Sequence, residues 1–485
     1  MVEETGHRPL PKRTIIFYGL SEMPLQVASV VISAYLLNYY AADLGVGLAA
    51  IGTIWLVARI FDGVTDPLIG YLSDITRTRW GRRRVWMAAS VPLIMLAVYK
   101  LFFPDPPVDA LYFLSWMLVL WLGWTMLMIP YYAWAAELST DYNERSVIVG
   151  WRVWLGMAAN VLSKVVPVAA LLWFGFGGTR EVLYMIGIMT LVLVPLTVGL
   201  TITRVPESPD YKPPTIPFRR GLVAMWKNGP FKRLLFAFFV NSMGTTVATA
   251  TAVFYVRNVV GEEKLAILFL LVFYLAGLAG IPFWVWLSKR VGKHKAWIGC
   301  LMFYPCFSWL YLFLGHGDFW WMLPIAAVTG FGGGSSAVLA NSMKADVIDL
   351  DTLKTGQNRA ALFFSAWALI TKVSLSVGPA LALYMLAVLG FDPKPGSVNS
   401  EESLWGVKAV FALGPPIFMI LTAFVAWRYP ITAARHRAMR EAIARRNARR
   451  DERERVAAAA RATAEWAAGT NAPAPRGLDP GPARG

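Results

Sequence analysis

Long apolar segments alternate with short polar loops along the chain as far as about residue 428. A helix needs about 20 apolar residues to cross a bilayer, and twelve segments reach that length. They lie near 15–41, 47–72, 85–103, 110–135, 151–176, 182–203, 233–257, 264–287, 295–315, 319–343, 360–389 and 404–428. The pattern predicts an all-α membrane protein with twelve transmembrane helices.

The first six segments resemble the last six. PLIGYLS at 67–73 corresponds to PFWVWLS at 282–288, and each is followed by a basic loop that contains a glycine, Gly81 or Gly292. Two parallel six-helix repeats, with the solute site between them at the middle of the membrane, are a transporter architecture. The predicted domains are a first bundle over 1–203, a linker over 204–232 and a second bundle over 233–428.

The basic residues are concentrated in alternate loops. Five arginines follow the second apolar segment and a basic cluster follows the eighth, whereas the loops at 104–109 and 391–403 carry few. Loops rich in Lys and Arg stay in the cytoplasm, so we predict that both chain ends are cytoplasmic. With 56% hydrophobic and 16% charged residues, the chain is too apolar to be soluble. We predict a multi-pass protein of a bacterial plasma (inner) membrane.

Charge and cysteine content exclude several other classes. The net charge of +16 would also fit nucleic-acid binding, but no basic and aromatic reader module is visible, so no nucleic-acid partner is expected. Cys300 and Cys306 lack the spacing of a disulfide framework or a zinc site. The four histidines lie in loops or at chain ends, and no nucleophile and base pair stands out, so we expect no enzyme activity.

The tail at 429–485 differs in composition from the rest. It is basic and Ala-rich at first, which predicts a helix, and rich in Gly and Pro at its end, which predicts disorder. A basic helix beside the inner leaflet would be attracted to anionic membrane lipid. A solvated tail without a role is the alternative, and the sequence leaves both open.

Two carboxylates interrupt the second apolar segment. Asp62 and Asp66 are four residues apart and therefore share a helix face, with Thr65 beside them. Acids inside a membrane helix are costly and usually face an interior cavity, and hard cations prefer oxygen ligands. The pattern predicts a cation site. Helix capping or ion pairing with basic residues is the structural alternative.

Three stretches together resemble a known family. DGVTDPLIGYLSDITRTRWGRRR, IPYYAWAAELSTDYNERS and ADVIDLDTLKTGQNRAALFFSAWALITK are similar to motifs of the glycoside–pentoside–hexuronide:cation symporters, the melibiose-permease family of the major facilitator superfamily. The resemblance covers about 14–428. It implies the major facilitator fold and coupling of sugar or glycoside movement to Na⁺, Li⁺ or H⁺.

The resemblance also implies roles for individual residues. Asp62 and Asp66 match the paired acids that bind the coupling cation, and Thr125 matches a hydroxyl that helps to ligate it. Thr65 stands where sodium-using melibiose permeases have Asn. Lys372 matches a lysine near the cation site, and Arg152 matches an arginine near the sugar site.

Two departures from the family concern the sugar. The acids that hold the galactoside on the first and fourth helices are replaced by Gln26 and Met128. Gln26 can still bond a hydroxyl, whereas Met128 cannot replace a carboxylate. A less polar glycoside or another amphipathic solute therefore fits better than a melibiose-type galactoside.

Further candidates for the solute site lie on the same helices. Glu22 is one turn before Gln26, and could bind solute, carry a proton or be solvated near the helix end. Aromatic rings stack on sugar faces, which makes Tyr132, Trp124 and Trp367 candidates. Packing or a membrane-interface belt is the alternative for each ring.

Charged groups could couple and gate the movement. Lys372, midway along an apolar helix, is expected to pair with Asp62 or Asp66 and to compete with the cation, unless the pair is permanent. We expect the basic loop to pair across to acidic residues and close the inner gate, or else only to set topology. The gate residues so predicted are Arg77, Arg82 and Arg83, with Asp141, Glu144 and the 344–359 loop as partners.

The sequence therefore favours a monomeric secondary transporter. It would carry a sugar or glycoside with H⁺ or Na⁺ and need no cofactor, nor a metal beyond a coupling Na⁺. Thr65 in place of Asn favours H⁺ over Na⁺ as the coupling ion. The alternatives are transport of an amphipathic or lipid-like solute, and a sensor or scaffold that transports nothing.

Overall fold

The computed structural model describes residues 10–138, 142–207, 228–333, 335–355, 360–394, 397–427 and 429–430, with scattered residues of the tail. Within these ranges the regular structure is helical throughout. Most of the linker and most of the tail lie outside the described residues. The predicted domain boundaries and the predicted cytoplasmic position of the chain ends therefore stay predictions.

Twelve helices in the described part of the chain are long and apolar enough to cross a membrane, which confirms the predicted architecture. They are α1 (Lys12–Ala42), α2 (Leu48–Ile75), α3 (Arg83–Phe102), α4 (Ala110–Leu138), α5 (Tyr142–Phe174), α6 (Thr179–Arg204), α7 (Gly229–Val260), α8 (Glu263–Val291), α9 (Lys293–Phe313), α10 (Phe319–Asp351), α11 (Ala360–Val388) and α12 (Glu401–Trp427).

Two helices are longer than their apolar segments. Helix α5 begins at Tyr142, nine residues before the predicted start, and α10 continues to Asp351, beyond the predicted end near 343. Charged residues in both extensions break the hydrophobic run but do not break backbone hydrogen bonding, since Glu and Lys are good helix formers. The apolar pattern thus marks the membrane-embedded part and underestimates the helix.

Each of the two basic loops contains a glycine with a positive φ. Gly81 after α2 has φ 106° and Gly292 after α8 has φ 93°. Residues with a Cβ rarely adopt such angles, so each glycine permits the tight reversal into the next helix. Pro67 and Pro282 lie inside α2 and α8 at corresponding positions. These features agree with the repeat found in the sequence.

Glycines also let α8 and α10 approach closely. A Cβ on Gly280 would overlap the carbonyl oxygen of Phe331, and a Cβ on Gly330 would overlap that of Phe273. The glycine-rich run near 330 therefore serves close helix packing, as its apolar context indicates.

The first six and last six helices meet on one side of the molecule. We call the side where α1 begins the terminal side, and the side where α1 ends the opposite side. Toward the opposite side, Trp55 Nε1 of α2 donates to the Leu375 carbonyl of α11 at 3.1 Å. Arg257 of α7 contacts Asp43 after α1 there. The structure is thus closed between the two sets of helices at the opposite side.

Candidate cation and solute site

The acid pair lies in the middle of α2. Asp62 is 3% exposed, and its spacing from Asp66 puts both carboxylates on the face toward α4. There Thr125 Oγ1 lies 2.8 Å from Asp62 Oδ1 and 3.2 Å from Asp66 Oδ1. The hydroxyl has one proton, so it donates to one carboxylate at a time.

Lys372 of α11 joins the acid pair from the other set of helices. Its Nζ donates to Asp62 Oδ2 at 3.2 Å and also to Asp66 Oδ2. The structure therefore brings together Asp62, Asp66, Thr125 and Lys372, and their roles in binding a cation stay predictions. It rules out helix capping as the reason for the acids, because both lie mid-helix.

A second cation beside the acids escaped the sequence reading. Arg59, one turn before Asp62, has its Nη1 3.7 Å from Asp62 Oδ2. Its guanidinium carbon lies 3.5 Å from the centre of the Trp121 ring and 5.0 Å from that of Trp55, which are cation–π contacts. The i, i+3 spacing to Asp62 was the available signal. Two carboxylates and two cations make the cluster neutral overall.

Thr65 does not meet the carboxylates in the expected way. It is buried, and its hydroxyl donates to the backbone carbonyl of Asp62 at 3.2 Å. Its proton is therefore used on the helix, and only its oxygen lone pairs remain for a cation. Its role as a ligand stays a prediction.

Four predicted solute residues form a second cluster on α1, α4 and α5. Gln26 Nε2 donates to Glu22 Oε1 at 3.0 Å, and the Tyr132 hydroxyl donates to the same oxygen at 3.3 Å. The Arg152 guanidinium carbon lies 4.3 Å from the centre of the Tyr132 ring. Gly156 gives Glu22 its space, since a Cβ there would be 2.8 Å from Glu22 Cγ.

The cluster has unused hydrogen-bonding capacity. Glu22 Oε2 and Arg152 Nε are 3.8 Å apart, and both are buried without a hydrogen-bond partner among the described residues. Leaving a buried donor and a buried acceptor without hydrogen bonds costs free energy. A hydroxyl group between them would accept from Arg152 and donate to Glu22, which is the chemistry of a polyol ligand.

The two predicted tryptophans lie elsewhere. Trp124 is buried against Trp121, with ring centres 6.0 Å apart. Trp367 is buried against Phe238, 4.1 Å between ring centres, with Lys344 Nζ 4.7 Å from its ring. No hydrogen bond or ring contact in the described chain joins either indole to the Glu22 cluster, so both pack in the protein interior in this conformation.

The basic loop forms a network different from the expected one. We expected Arg83 to pair across to Asp141, Glu144 or the 344–359 loop. Instead it bonds Ser73 and Asp74 of α2 at 2.7 and 2.5 Å and Glu137 of α4 at 2.8 Å. The reason is that α2, α3 and α4 pack together and bring a buried acid nearer than any loop.

Among the other predicted gate residues that the structure describes, Arg82 contacts the same glutamate as Arg83, whereas Arg77 and Glu144 do not. Arg82 Nη2 lies 2.9 Å from Glu137 Oε1. Arg77 is exposed and forms no ion pair with any described residue. Glu144 accepts from the Leu10 N–H at 2.5 Å, and Asp141 lies outside the described residues. A role of these residues in a gate stays a prediction, and Glu137 is a member that the sequence reading missed.

The chain is similar to known transporters in sequence and in fold. A family model described as MFS/sugar transport protein matches residues 17–433. The crystal structure of the nucleoside transporter NupG resembles the chain with a TM-score of 0.60 at 13% identity, covering 86% of this chain and 98% of that one. That likeness confirms the predicted major facilitator fold.

Similar sequences span nearly the whole chain. It is 26% identical to the inner membrane symporter YicJ of Escherichia coli, covering 85% of this chain and 90% of that one. It is 24% identical to the glucuronide carrier protein homolog of E. coli, with 88% and 94% covered. It is also 24% identical to the human sodium-dependent lysophosphatidylcholine symporter 1, with 88% and 87% covered.

Proposed function

The chain belongs to the MFS/sugar transport protein family, and on that premise we propose that it is a cation-coupled symporter of a sugar or glycoside. The family resemblance read from the three motifs is thereby confirmed. The chain is a multi-pass protein of the inner membrane, as its twelve apolar helices and the name of its E. coli relative support. Its family consists of transporters, which supports the expectation that it is not an enzyme.

One observation carries the proposal: Lys372 bridges the two sets of helices through the acid pair. In this conformation the lysine occupies the oxygens that a coupling cation would need. A cation that binds Asp62 and Asp66 must therefore displace Lys372, which removes one of the contacts that hold α11 against α2. Binding is thereby linked to the relative position of the two sets of helices, since a ligand shifts an equilibrium by its differential affinity for the two states.

The Glu22 cluster supplies the solute half of the mechanism. Glu22, Gln26, Arg152 and Tyr132 offer a charged acceptor, an amide, a guanidinium and a phenol in one place. Such groups match the several hydroxyls of a sugar or glycoside. Joint occupancy of this cluster and the acid pair would permit the rocking motion of alternating access.

The coupling ion is H⁺ or Na⁺ in this proposal. A proton needs only one of the two carboxylates, and leaves Thr125 free to bond the other. Sodium needs several oxygens, and Thr65 offers a lone pair rather than an amide oxygen. We therefore favour H⁺.

A second candidate is transport of an amphipathic, lipid-like solute. Met128 stands where an acid would hold a galactoside, and it packs on the apolar core. One relative is named a lysophosphatidylcholine symporter. Competition for uptake by detergent-like glycosides, but not by free sugars, would favour this candidate.

The test is solute uptake into proteoliposomes. Labelled glycosides, pentosides and uronides are offered under an inward pH gradient and then under a Na⁺ gradient, for wild type and Asp66→Asn. Uptake that needs one gradient and is lost in the variant is the expected result. Asp105→Asn, an exposed loop carboxylate, is the matched control and should retain uptake. Uptake that is insensitive to Asp66→Asn would remove the coupling role of the acid pair.

A further inference from the structure

Lys164 on α5 is a buried cation that the proposed mechanism does not use. Its side chain is 1% exposed. The Nζ atom donates to the carbonyl oxygen and to Oδ1 of Asn160 at 2.8 and 2.9 Å, and more weakly to Ser163 Oγ at 3.5 Å. The ring of Tyr274, on α8, covers it with its centre 4.3 Å from Nζ.

All of these partners are neutral. A charged side chain inside the membrane is costly and is normally paired with an opposite charge, as Lys372 is paired with two acids. No carboxylate of the described chain forms an ion pair with Lys164. An amide, a hydroxyl and an aromatic face satisfy its donors and leave its ammonium without a counterion among the described residues.

The position also lies on the path between the sets of helices. Lys164 is twelve residues beyond Arg152 on α5, about 18 Å at 1.5 Å per residue, and therefore nearer the opposite side. It faces α8 of the other set, and the seam between α5 and α8 is closed off beyond it, where the N–H of Thr179, at the start of α6, donates to Glu263 of α8 at 2.8 Å. When this seam parts in alternating access, a solute from the opposite side meets Lys164 before it meets the Glu22 cluster.

We propose that Lys164 binds an acidic group, a carboxylate or a phosphate, on the transported solute. The inference deepens the proposed function and rests on it. With the seam open, the ammonium pairs with the acidic group. With the seam closed, Tyr274 of α8 covers the ammonium that Asn160 of its own helix also holds, so the affinity for the anion falls and the solute is released. No covalent step is involved.

The experiment compares acidic and neutral probes on the same protein. Methyl β-glucuronide supplies a carboxylate, glycerol phosphate a phosphate, and methyl β-glucoside neither. Binding to the full-length protein in lipid nanodiscs is measured by calorimetry, and uptake is measured in proteoliposomes. The variants are Lys164→Gln, which removes the charge, Lys164→Arg, which keeps it, and Asn160→Ala, which removes the competing amide.

The expected result is a change in the ratio of acidic to neutral binding. Lys164→Gln should lower that ratio roughly tenfold or more, because truncating one member of a buried charge pair is costly. Lys164→Arg should retain most of it, and Asn160→Ala should raise the affinity for the acidic probe. A change in the binding of methyl β-glucuronide alone would indicate a carboxylate, and a change in the binding of glycerol phosphate alone would indicate a phosphate.

Three results would overturn the inference. The first is an equal loss of binding of the acidic and the neutral probe in Lys164→Gln. The second is an unchanged ratio of acidic to neutral binding in that variant, and the third is a wild type that binds only the glucoside. An equal loss under a pH gradient alone would assign Lys164 to coupling instead. If the wild type binds the acidic probe through Lys164 but moves no solute under any gradient, the proposed function fails while the anion site stands. If Lys164→Gln does not fold, the binding of the acidic probe by Asn160→Ala tests the inference instead.

Discussion

Thr125 is the one hydroxyl within hydrogen-bond distance of both carboxylates of α2 in the described chain. A carboxylate buried at mid-membrane needs donors to its charged form. Lys372 and Arg59 provide charge, and Thr125 provides a short, directional bond from the same set of helices. It can therefore stay with the acids when α11 moves away, which Lys372 cannot.

At the residue scale, Thr125→Val is expected to weaken coupling. A hydrogen bond to a charged group contributes about 1.5–3 kcal/mol, so the apparent affinity for the coupling ion should fall roughly tenfold or more. The measurement is the dependence of uptake on ion concentration in proteoliposomes. Thr125→Ser should retain most of the affinity.

Thr65→Val is the matched comparison on α2. Because the Thr65 hydroxyl donates to the helix backbone, its removal should cost clearly less ion affinity than Thr125→Val. A larger effect of Thr65→Val would mean that its oxygen lone pairs bind the ion, as the position of Thr65 beside the two acids predicts.

At the scale of elements, the buried ion pair of Arg83 and Glu137 joins three helices. Glu137 of α4 accepts from Arg83 at the start of α3 and lies 2.9 Å from Arg82. Arg83 also holds Ser73 and Asp74 at the end of α2. Helices α2, α3 and α4 are thereby fixed to each other at the terminal side, close to the turn that Gly81 permits.

Glu137→Gln is expected to destabilise this junction. The Glu137 side chain is 1% exposed, and removing one partner of a buried ion pair costs about 3–5 kcal/mol. Asp74→Asn is the control, because its side chain is 46% exposed, so that solvent screens its attraction to Arg83 and the loss of stability should be smaller. Thermal unfolding of the protein in detergent measures both. Equal shifts in the two variants would contradict the assignment.

At the scale of the whole molecule, Arg257 holds the opposite side closed. It pairs with Asp43 through Nη1 and Nη2, at 3.1 and 3.2 Å, and its Nε lies 3.4 Å from Glu263. Burial raises the pKa of the Asp43 carboxyl although Arg257 acts in the opposite sense. Desolvation of this carboxyl thus outweighs the attraction of Arg257, so the contact is weak enough to reverse.

Arg257→Gln is expected to shift the molecule toward opening at this side. A loss of about 1.4 kcal/mol would raise the ratio of open to closed forms tenfold. Distances between spin labels on the 43–47 and 389–394 loops report that ratio. Arg180→Gln is the control, since Arg180 is exposed on the same side and bonds Tyr184 of its own helix. An unchanged distance distribution would show that other contacts keep this side closed.

Much of the molecule follows from the sequence because the bilayer imposes simple rules. A membrane of fixed thickness demands apolar runs of fixed length, so twelve helices were predictable. A helix puts residues four apart on one face, so Asp62 and Asp66 were predictable as a pair. An ionisable side chain at mid-membrane needs a partner, which made Lys372 the expected counterpart of the acids.

The tertiary structure alone decided which distant groups meet. Arg59 fits beside Asp62 because Trp121, 62 positions further on, offers its ring face. Arg83 contacts Glu137, and Lys164 contacts Tyr274, because of helix packing that no local sequence pattern predicts. Helices that carry an apolar face can rotate and cross in several ways, and the side chains between them select one. The sequence determined where the helices and their charges lie; packing across the bundle determined which charges are paired with opposite charges and which have neutral partners.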